Sequence, residues 1–308
     1  MTSLRQSVAD YLAMRRALGY RLARAEKLLS QFLTFLEDLG DTRLRTETAL
    51  AWATQPTGTD PSWSAARLRI VRGFAAHLHT IDPANEVPPA DLLPSRPHRA
   101  TPYLYTDDEV AAVIGAAAAL RTSHRIATYR TVIGLLVVTG MRVGEAITLD
   151  RDDFDVSQGL LVIRQGKFGK SRELPLHPST ATVLDLYLHR EDRPRSATQT
   201  PALFVSTAGT RLLLCNVQQT FRMLVRRVGL KPHSAACRPR LHDIRHRFAI
   251  CTLLDAYRQG QDPEVRLSLL ATYLGHVDPK HTYWYLSAAP ELLQLASDRL
   301  ERHLGGAS

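Results

Sequence analysis

The sequence predicts a mainly helical protein of the α+β class, divided into two domains, and three observations carry that expectation. Apolar residues return at three- and four-residue intervals through most of the chain, the period of a helix with one buried face. A single stretch, Leu160 to Leu176, instead offers two short apolar runs around a glycine-bearing turn, the pattern of a hairpin. Between Pro83 and Pro102 lie six prolines (83, 88, 89, 94, 97 and 102) with no periodicity, so the chain there reads as an extended, partly stiff linker. The expected division is a helical domain at 1–82, a linker at 83–102, and a mostly helical domain at 103–308 with a small antiparallel sheet. At 308 residues and 44% hydrophobic, the chain can bury a core in each domain, which excludes intrinsic disorder as its main state.

In chain order, Leu4 to Leu18 and Leu22 to Leu39 read as helices with Gly19 and Gly40 as stops. Thr46 to Ala53 makes a short helix, and Pro61 to Leu78 a longer one opened by Asp60-Pro61, an N-cap followed by proline in the first turn. After the linker, Thr106-Asp107-Asp108-Glu109 sets up a capping box ahead of a helix from Val110 to Leu120. A long helix follows from His124 to Val138, stopped by Gly140, and a short one from Arg142 to Leu149. Strands at Leu160 to Ile163 and Arg172 to Leu176 flank the turn Gly166-Lys167-Phe168-Gly169. Further helices are expected at Ser179 to His189, Asn216 to Val228, His242 to Leu254, Pro263 to Leu274 and Pro290 to Leu304.

With 39 Lys+Arg against 30 Asp+Glu, the formal charge of +9 points to a polyanionic partner, and charge alone does not separate nucleic acid from an acidic membrane surface. The basic residues are 34 Arg and only 5 Lys, so a lysine at a particular position carries more information than usual. Three cysteines, Cys215, Cys237 and Cys251, leave one unpaired and show no C-x-x-C spacing, which argues against a disulfide scaffold and a cysteine zinc site. The N-terminus lacks a hydrophobic signal core, and no apolar run approaches the ~18 residues of a membrane span. The expected location is the cytoplasm.

Five positions stand at structural breaks. Arg142 follows the helix-ending Gly140 and opens the next helix, where a guanidinium beside backbone N–H groups suits a phosphate, and Glu145 one turn later could orient it. Taken alone, Arg142 is as readily an ordinary surface arginine. Lys167 sits at the hairpin tip with Gly166 and Gly169 around it, placed to approach a ligand as a proton donor or point charge; Lys170 and Arg172 are nearby rivals, and a solvated turn lysine is the bland alternative. In His242-Asp243-Ile244-Arg245, a spacing of three puts an imidazole that can move a proton beside an arginine fork, although a basic helix on DNA backbone explains that pattern equally well. Gly275 ends a helix and presents His276, and Tyr285 follows nine residues later within Thr282-Tyr283-Trp284-Tyr285.

The ordered series Arg142, Lys167, His242-x-x-Arg245, Leu274-Gly275-His276 and Tyr285 resembles the tyrosine recombinases of the phage integrase family, from about Thr106 to Leu304. The N-terminal domain is similar to that family's helical core-binding domain in size, helicity and position. The ending around Thr282 to Leu293 looks most like recombinases carried by transposon-like elements that encode several such proteins in series. The resemblance implies site-specific DNA breakage and rejoining, with Tyr285 attacking to give a 3′-phosphotyrosine. By family position, His242 is then the general base, Lys167 the general acid, Arg142 and Arg245 hold the non-bridging oxygens, and His276 donates a further hydrogen bond.

Bare chemistry is compatible with that scheme. Exchanging strands without losing bond energy requires a covalent intermediate, and a phenol of pKa about 10 must shed its proton during attack while the departing oxygen gains one. Two arginine forks can stand in for the metal ions other phosphoryl-transfer enzymes use, so no metal or nucleotide cofactor is expected. The implied partners are double-stranded DNA and further copies of the protein, dimer to tetramer, with sister recombinases as candidates and no membrane. DNA-backbone candidates are Lys170, Arg172, Arg222, Arg226, Arg240 and Arg247. The span Arg222 to Arg247 holds eight basic residues (Arg222, Arg226, Arg227, Lys231, Arg238, Arg240, Arg245, Arg247) against Asp243 alone, a local +7 beside the His-x-x-Arg motif. The C-terminal helix is expected to dock either on a neighbouring protomer, as in the family, or within its own chain. Two other functions remain open on sequence alone: a catalytically silent DNA-binding architectural or regulatory subunit, and relaxation of supercoiled DNA in the manner of a type IB topoisomerase.

Overall fold

The computed structural model describes residues 3–20, 22–58, 60–94, 101–164, 171–194, 200–275, 282 and 290–305. The chain forms two compact units, Met1–Arg99 and Ala100–Ser308.

The first unit is built from α1 (Leu4–Ala17), α2 (Ala23–Asp38), α3 (Thr46–Thr54) and α4 (Pro61–Ile81). The caps follow from local chemistry: Ser3 accepts from the Gln6 N–H, and Asp60 accepts from the Ser62 N–H ahead of a helix that starts on Pro61. Leu29, Phe32 and Leu36 from α2 meet Trp52, Val71 and Phe74 in the core, with Phe32 edge-on to Trp52 at 5.3 Å. Arg67 is buried here, its Nη2 donating to the Trp52 carbonyl (2.6 Å) while its guanidinium lies over the Trp52 ring.

The interval read as a linker is docked at both ends. Asn85 is buried and accepts from the Leu44 N–H through Oδ1 (3.0 Å), and the Glu86 N–H donates to the Leu44 carbonyl (2.8 Å), which ties this segment to the first unit. At the far end the Cys237 thiol reaches the Pro102 carbonyl and Tyr103 is buried in the second unit. Proline content concealed this docking, because single polar anchors such as Asn85 leave no periodic trace.

The second unit begins with α5 (Asp107–Ala116), where Thr106 and Glu109 exchange both hydrogen bonds of a capping box. The central helix α6 (Ser123–Thr139) packs against α5, α7 (Val143–Thr148), α8 (Pro178–Leu188) and α10 (Asp243–Arg258), which accounts for its lack of a polar face. A three-stranded antiparallel sheet runs in the order β1 (Phe154–Asp155), β2 (Leu160–Ile163), β3 (Arg172–Pro175), with Ile163 opposite Arg172. The turn expected between β2 and β3 lies outside the described residues. β1 is two residues long, too short for alternation to betray it. The segment Ala202–Val205 is completely buried and joins Asp150 and Arg211 by isolated bridges, again without a strand-length pattern.

α9 (Leu214–Arg227), α10, α11 (Pro263–Leu274) and α12 (Pro290–Gly305) complete the unit. α12 packs on α10 within the chain: Leu292 is buried with Leu253, Leu267 and Leu270, and Arg258 Nη2 donates to Glu291 (2.6 Å). Among the described residues no helix is long and apolar enough to cross a membrane.

Candidate active site

The site is assembled at three helix boundaries and the edge of the sheet. α6 stops at Gly140, whose φ of +58° gives a left-handed cap with its N–H donating to the Leu136 carbonyl (2.9 Å). Arg142 is then the N-cap of α7 in extended conformation. Its backbone N–H donates to Glu145 Oε2 and its Nη1 to Glu145 Oε1, both at 2.9 Å, so one carboxylate fixes both the backbone and the head of this arginine.

Arg172, the first residue of β3, donates to the same carboxylate through Nη1 (3.2 Å) and Nη2 (2.8 Å). Glu145 is buried between the two guanidiniums. Burial works to raise its pKa, but the Arg172 hydrogen bonds, then the Arg142 N–H and the two positive charges, outweigh it and hold the carboxyl below its usual range. Two guanidiniums against one carboxylate leave the trio with a net charge of +1, an excess facing whatever anion binds beside it.

α10 supplies the His-x-x-Arg motif. His242 is its N-cap, and Arg245, in the first turn, is buried with Nη1 donating to the Gly140 carbonyl (2.9 Å) and Nη2 to the Leu274 carbonyl (2.7 Å). Arg245 therefore links the end of α6 to the end of α11. Phe248, three residues beyond Arg245, lies so close to Gly140 that a Cβ there would stand 2.3 Å from its ring. Asp243, fully buried, accepts from the Arg240 N–H and Nε (both 3.0 Å) and Nη2 (2.7 Å), closing the entrance to α10. His242 keeps an exposed surface. Loss of water on its packed side, then the charges of Arg245, Arg142 and Arg240, push its pKa down to about 4, so the imidazole is neutral at pH 7.

The structure thus brings Arg142, Glu145, His242 and Arg245 together and adds Arg172 to them. Lys167, Lys170, His276 and Tyr285 lie outside the described residues, as do Tyr283 and Trp284. Of the backbone-contact candidates, Arg172 and Arg240 are engaged as above, and Arg247 donates to the Tyr105 carbonyl and pairs with Asp107. Arg222 and Arg226, four apart on α9, line a cleft of about 1220 Å³ together with Arg121 and Arg125, with no carboxylate among its lining residues. Arg125 is held in place, its Nη2 donating to Thr220 Oγ1 (3.1 Å). Sequence reasoning missed Arg121 and Arg125; two arginines flanking the Thr122 N-cap of α6 were the available signal. Among the described residues no group of three or more His, Cys, Asp or Glu is placed to hold a metal ion.

Residues 104–291, well over half of the chain, match the Phage integrase family. The chain belongs to that family. Its members are tyrosine recombinases, site-specific enzymes of DNA recombination. A Sinorhizobium fredii protein carrying the name integrase/recombinase y4rB is 44% identical over 309 residues, covering 98% of each chain. The tyrosine recombinase XerD of Mycobacterium tuberculosis is 33% identical over 231 residues, 72% of this chain and 68% of XerD. Among solved structures, a Tn1549 transposon integrase in complex with transposon right end DNA shares the fold with a TM-score of 0.63 at 16% identity, over 97% of this chain and 99% of that one. For this recombinase, the mainly helical unit with its small antiparallel sheet is the fold the family assignment leads one to expect.

Proposed function

We propose that this recombinase breaks and rejoins DNA at specific sites through a 3′-phosphotyrosine intermediate, in the integration or transposition of a mobile element. The observation that carries the proposal is the convergence of two arginines, Arg142 and Arg245, on a neutral His242. A phosphodiester has one negative charge, and its transition state gathers more on the non-bridging oxygens. Two fixed guanidiniums meet that charge without reorganising, and an unprotonated imidazole beside them can take up a proton.

In the proposed reaction the Tyr285 phenol oxygen attacks phosphorus and its proton passes to His242. The bond from phosphorus to the 5′-oxygen breaks, and that oxygen leaves as a hydroxyl with a proton from Lys167. His276 donates a hydrogen bond to a non-bridging oxygen. A 5′-hydroxyl from another strand reverses the step, so the phosphodiester energy is conserved and the tyrosine is released. Each tyrosine opens one strand; two duplexes exchanging partners present four, which requires four copies on the paired DNA. The Arg121, Arg125, Arg222 and Arg226 cleft is suited to phosphate backbone, since guanidiniums without neighbouring carboxylates release condensed counterions when DNA enters. The mobile-element role is supported by the fold likeness to a transposon integrase and by the 44% identity to an integrase/recombinase.

The test uses nicked suicide substrates drawn from DNA flanking the gene. A covalent adduct should form and map to Tyr285, and Tyr285→Phe should abolish it while non-covalent binding persists. Covalent trapping by the Phe variant would show that another residue is the nucleophile, and binding without any adduct would favour a silent architectural protein.

A further inference from the structure

We propose that Arg172 is a positioning residue that locks Glu145, and through it Arg142, and so ties the β2–β3 hairpin to the arginine that holds the scissile phosphate; it does not bind DNA itself. The inference rests on the recombinase reading above for its catalytic consequence, and on geometry for the lock itself.

Glu145 is buried and receives four donors: the Arg142 N–H, Arg142 Nη1, Arg172 Nη1 and Arg172 Nη2. Half of its hydrogen bonding thus comes from an arginine 27 residues away on a different element. The Arg172 side chain is only 15% exposed and both terminal nitrogens face the carboxylate, an orientation that turns the fork inward. Its position in the sheet matters equally. Arg172 pairs across from Ile163, the last pair of the β2–β3 ladder before the turn.

The same guanidinium lies against the cap of α11. A Cβ built on Gly275, at φ +67°, would stand 3.0 Å from Arg172 Nη1 and 3.3 Å from its Cζ. Glycine is needed both for the left-handed turn and for this close approach, and His276 is the next residue. Arg172 therefore touches both the carboxylate that holds Arg142 and the glycine cap of α11. Lysine cannot do this: a single ammonium lacks the planar fork that spans both carboxylate oxygens.

Among the described residues, the charged groups acting on this carboxylate are Arg142 at the N-cap of α7 and Arg172 from β3, and Tyr273 from α11 feels the charges of Arg172 and Arg245. Without the Arg172 fork, the burial that opposes ionisation of Glu145 loses its strongest counterweight, and its pKa rises.

The experiment compares wild type with R172K, E145Q and the double variant in three measurements. In single-turnover adduct formation on the suicide substrate, R172K should be slowed by roughly 10- to 100-fold and acquire a new acid limb that E145Q removes. In DNA binding against salt, a further variant R172Q, which unlike R172K removes the charge, should keep the wild-type log–log slope, whereas removing a phosphate ligand would lower the slope by about 0.9. In thermal unfolding of the protein alone, the Tm losses of R172K and E145Q should be strongly non-additive in the double variant. A reduced slope with an unchanged adduct rate would make Arg172 a ligand of the DNA backbone and overturn the proposal. Additive Tm losses would overturn the lock whether or not the wild type cleaves DNA. A wild type that shows the Tm coupling but forms no adduct would refute the recombinase reading and leave the lock standing.

Discussion

Gly140→Ala is the most quantitative perturbation the structure offers. Two costs add. A left-handed φ of +58° is unfavourable for any residue with a Cβ, by roughly 1–2 kcal/mol. The new methyl would also lie 2.3 Å from Phe248 Cδ1, 2.6 Å from Cγ and 3.1 Å from Cβ. Since the last of these is next to the α10 backbone, Phe248 cannot simply swing aside; it is further confined by stacking on Tyr273, with ring centroids 5.6 Å apart. Overpacking of this kind costs roughly 1–3 kcal/mol. The sum, roughly 2–5 kcal/mol, should lower the melting temperature of the second unit by roughly 4–20 °C at about 2–4 °C per kcal/mol for a unit of that size. Differential scanning calorimetry on four proteins checks the partition: wild type, Gly140→Ala, Phe248→Ala and the double variant. In the Phe248→Ala background the overlap is gone and Gly140→Ala should cost only the backbone share. If Gly140→Ala costs the same in both backgrounds, or less than about 1 kcal/mol in the wild type, the close approach of α6 and α10 is wrong. Because the Gly140 carbonyl holds Arg245, the single variant should also slow adduct formation.

Two further outcomes follow from charge. A histidine whose folded pKa is depressed leaves the unfolded chain binding the extra proton at intermediate pH, so stability conferred by neutral His242 is complete above about 6.5. It is lost as pH falls toward about 4. His242→Asn should flatten that part of the stability curve in urea unfolding from pH 7 to 4 and slow adduct formation at pH 7, and an unchanged curve would contradict the burial and the arginine charges that lower its pKa. In the cleft, Arg222→Ala with Arg226→Ala should weaken DNA binding and reduce the salt slope by about 0.9 for each phosphate left without its guanidinium. An unaltered slope would remove the cleft from the DNA interface.

Much of the helical framework was legible because its signals are local. Gly140 and Gly275 both ended helices where a glycine after an apolar run predicts a left-handed cap, and Thr106 with Glu109 formed the capping box their spacing implies. Arg142, His242 and Arg245 could be singled out for the same reason: each adjoins a break visible in the sequence. What resisted reading was long-range. Nothing local distinguishes Arg172, bonded to Glu145, from Arg222, which lines an open cleft, yet one lies against a buried carboxylate and the other beside further arginines. Asn85 likewise looked like linker, because a single buried amide has no period. Ala202–Val205 was missed since bridges of one residue pair carry no alternation.

Arg245 is a phosphate ligand in the proposed reaction and also a beam between two carbonyls, Gly140 and Leu274. A mobile arginine surrenders roughly 2 kcal/mol of rotamer freedom when it is immobilised on a ligand. Here that entropy is lost during folding, so DNA meets a side chain that has nothing further to give up. On the scale of about 1.4 kcal/mol per decade, the saving is worth about thirty-fold in affinity. Stability and phosphate affinity are consequently written into the same guanidinium, and a substitution at 245 will move both together.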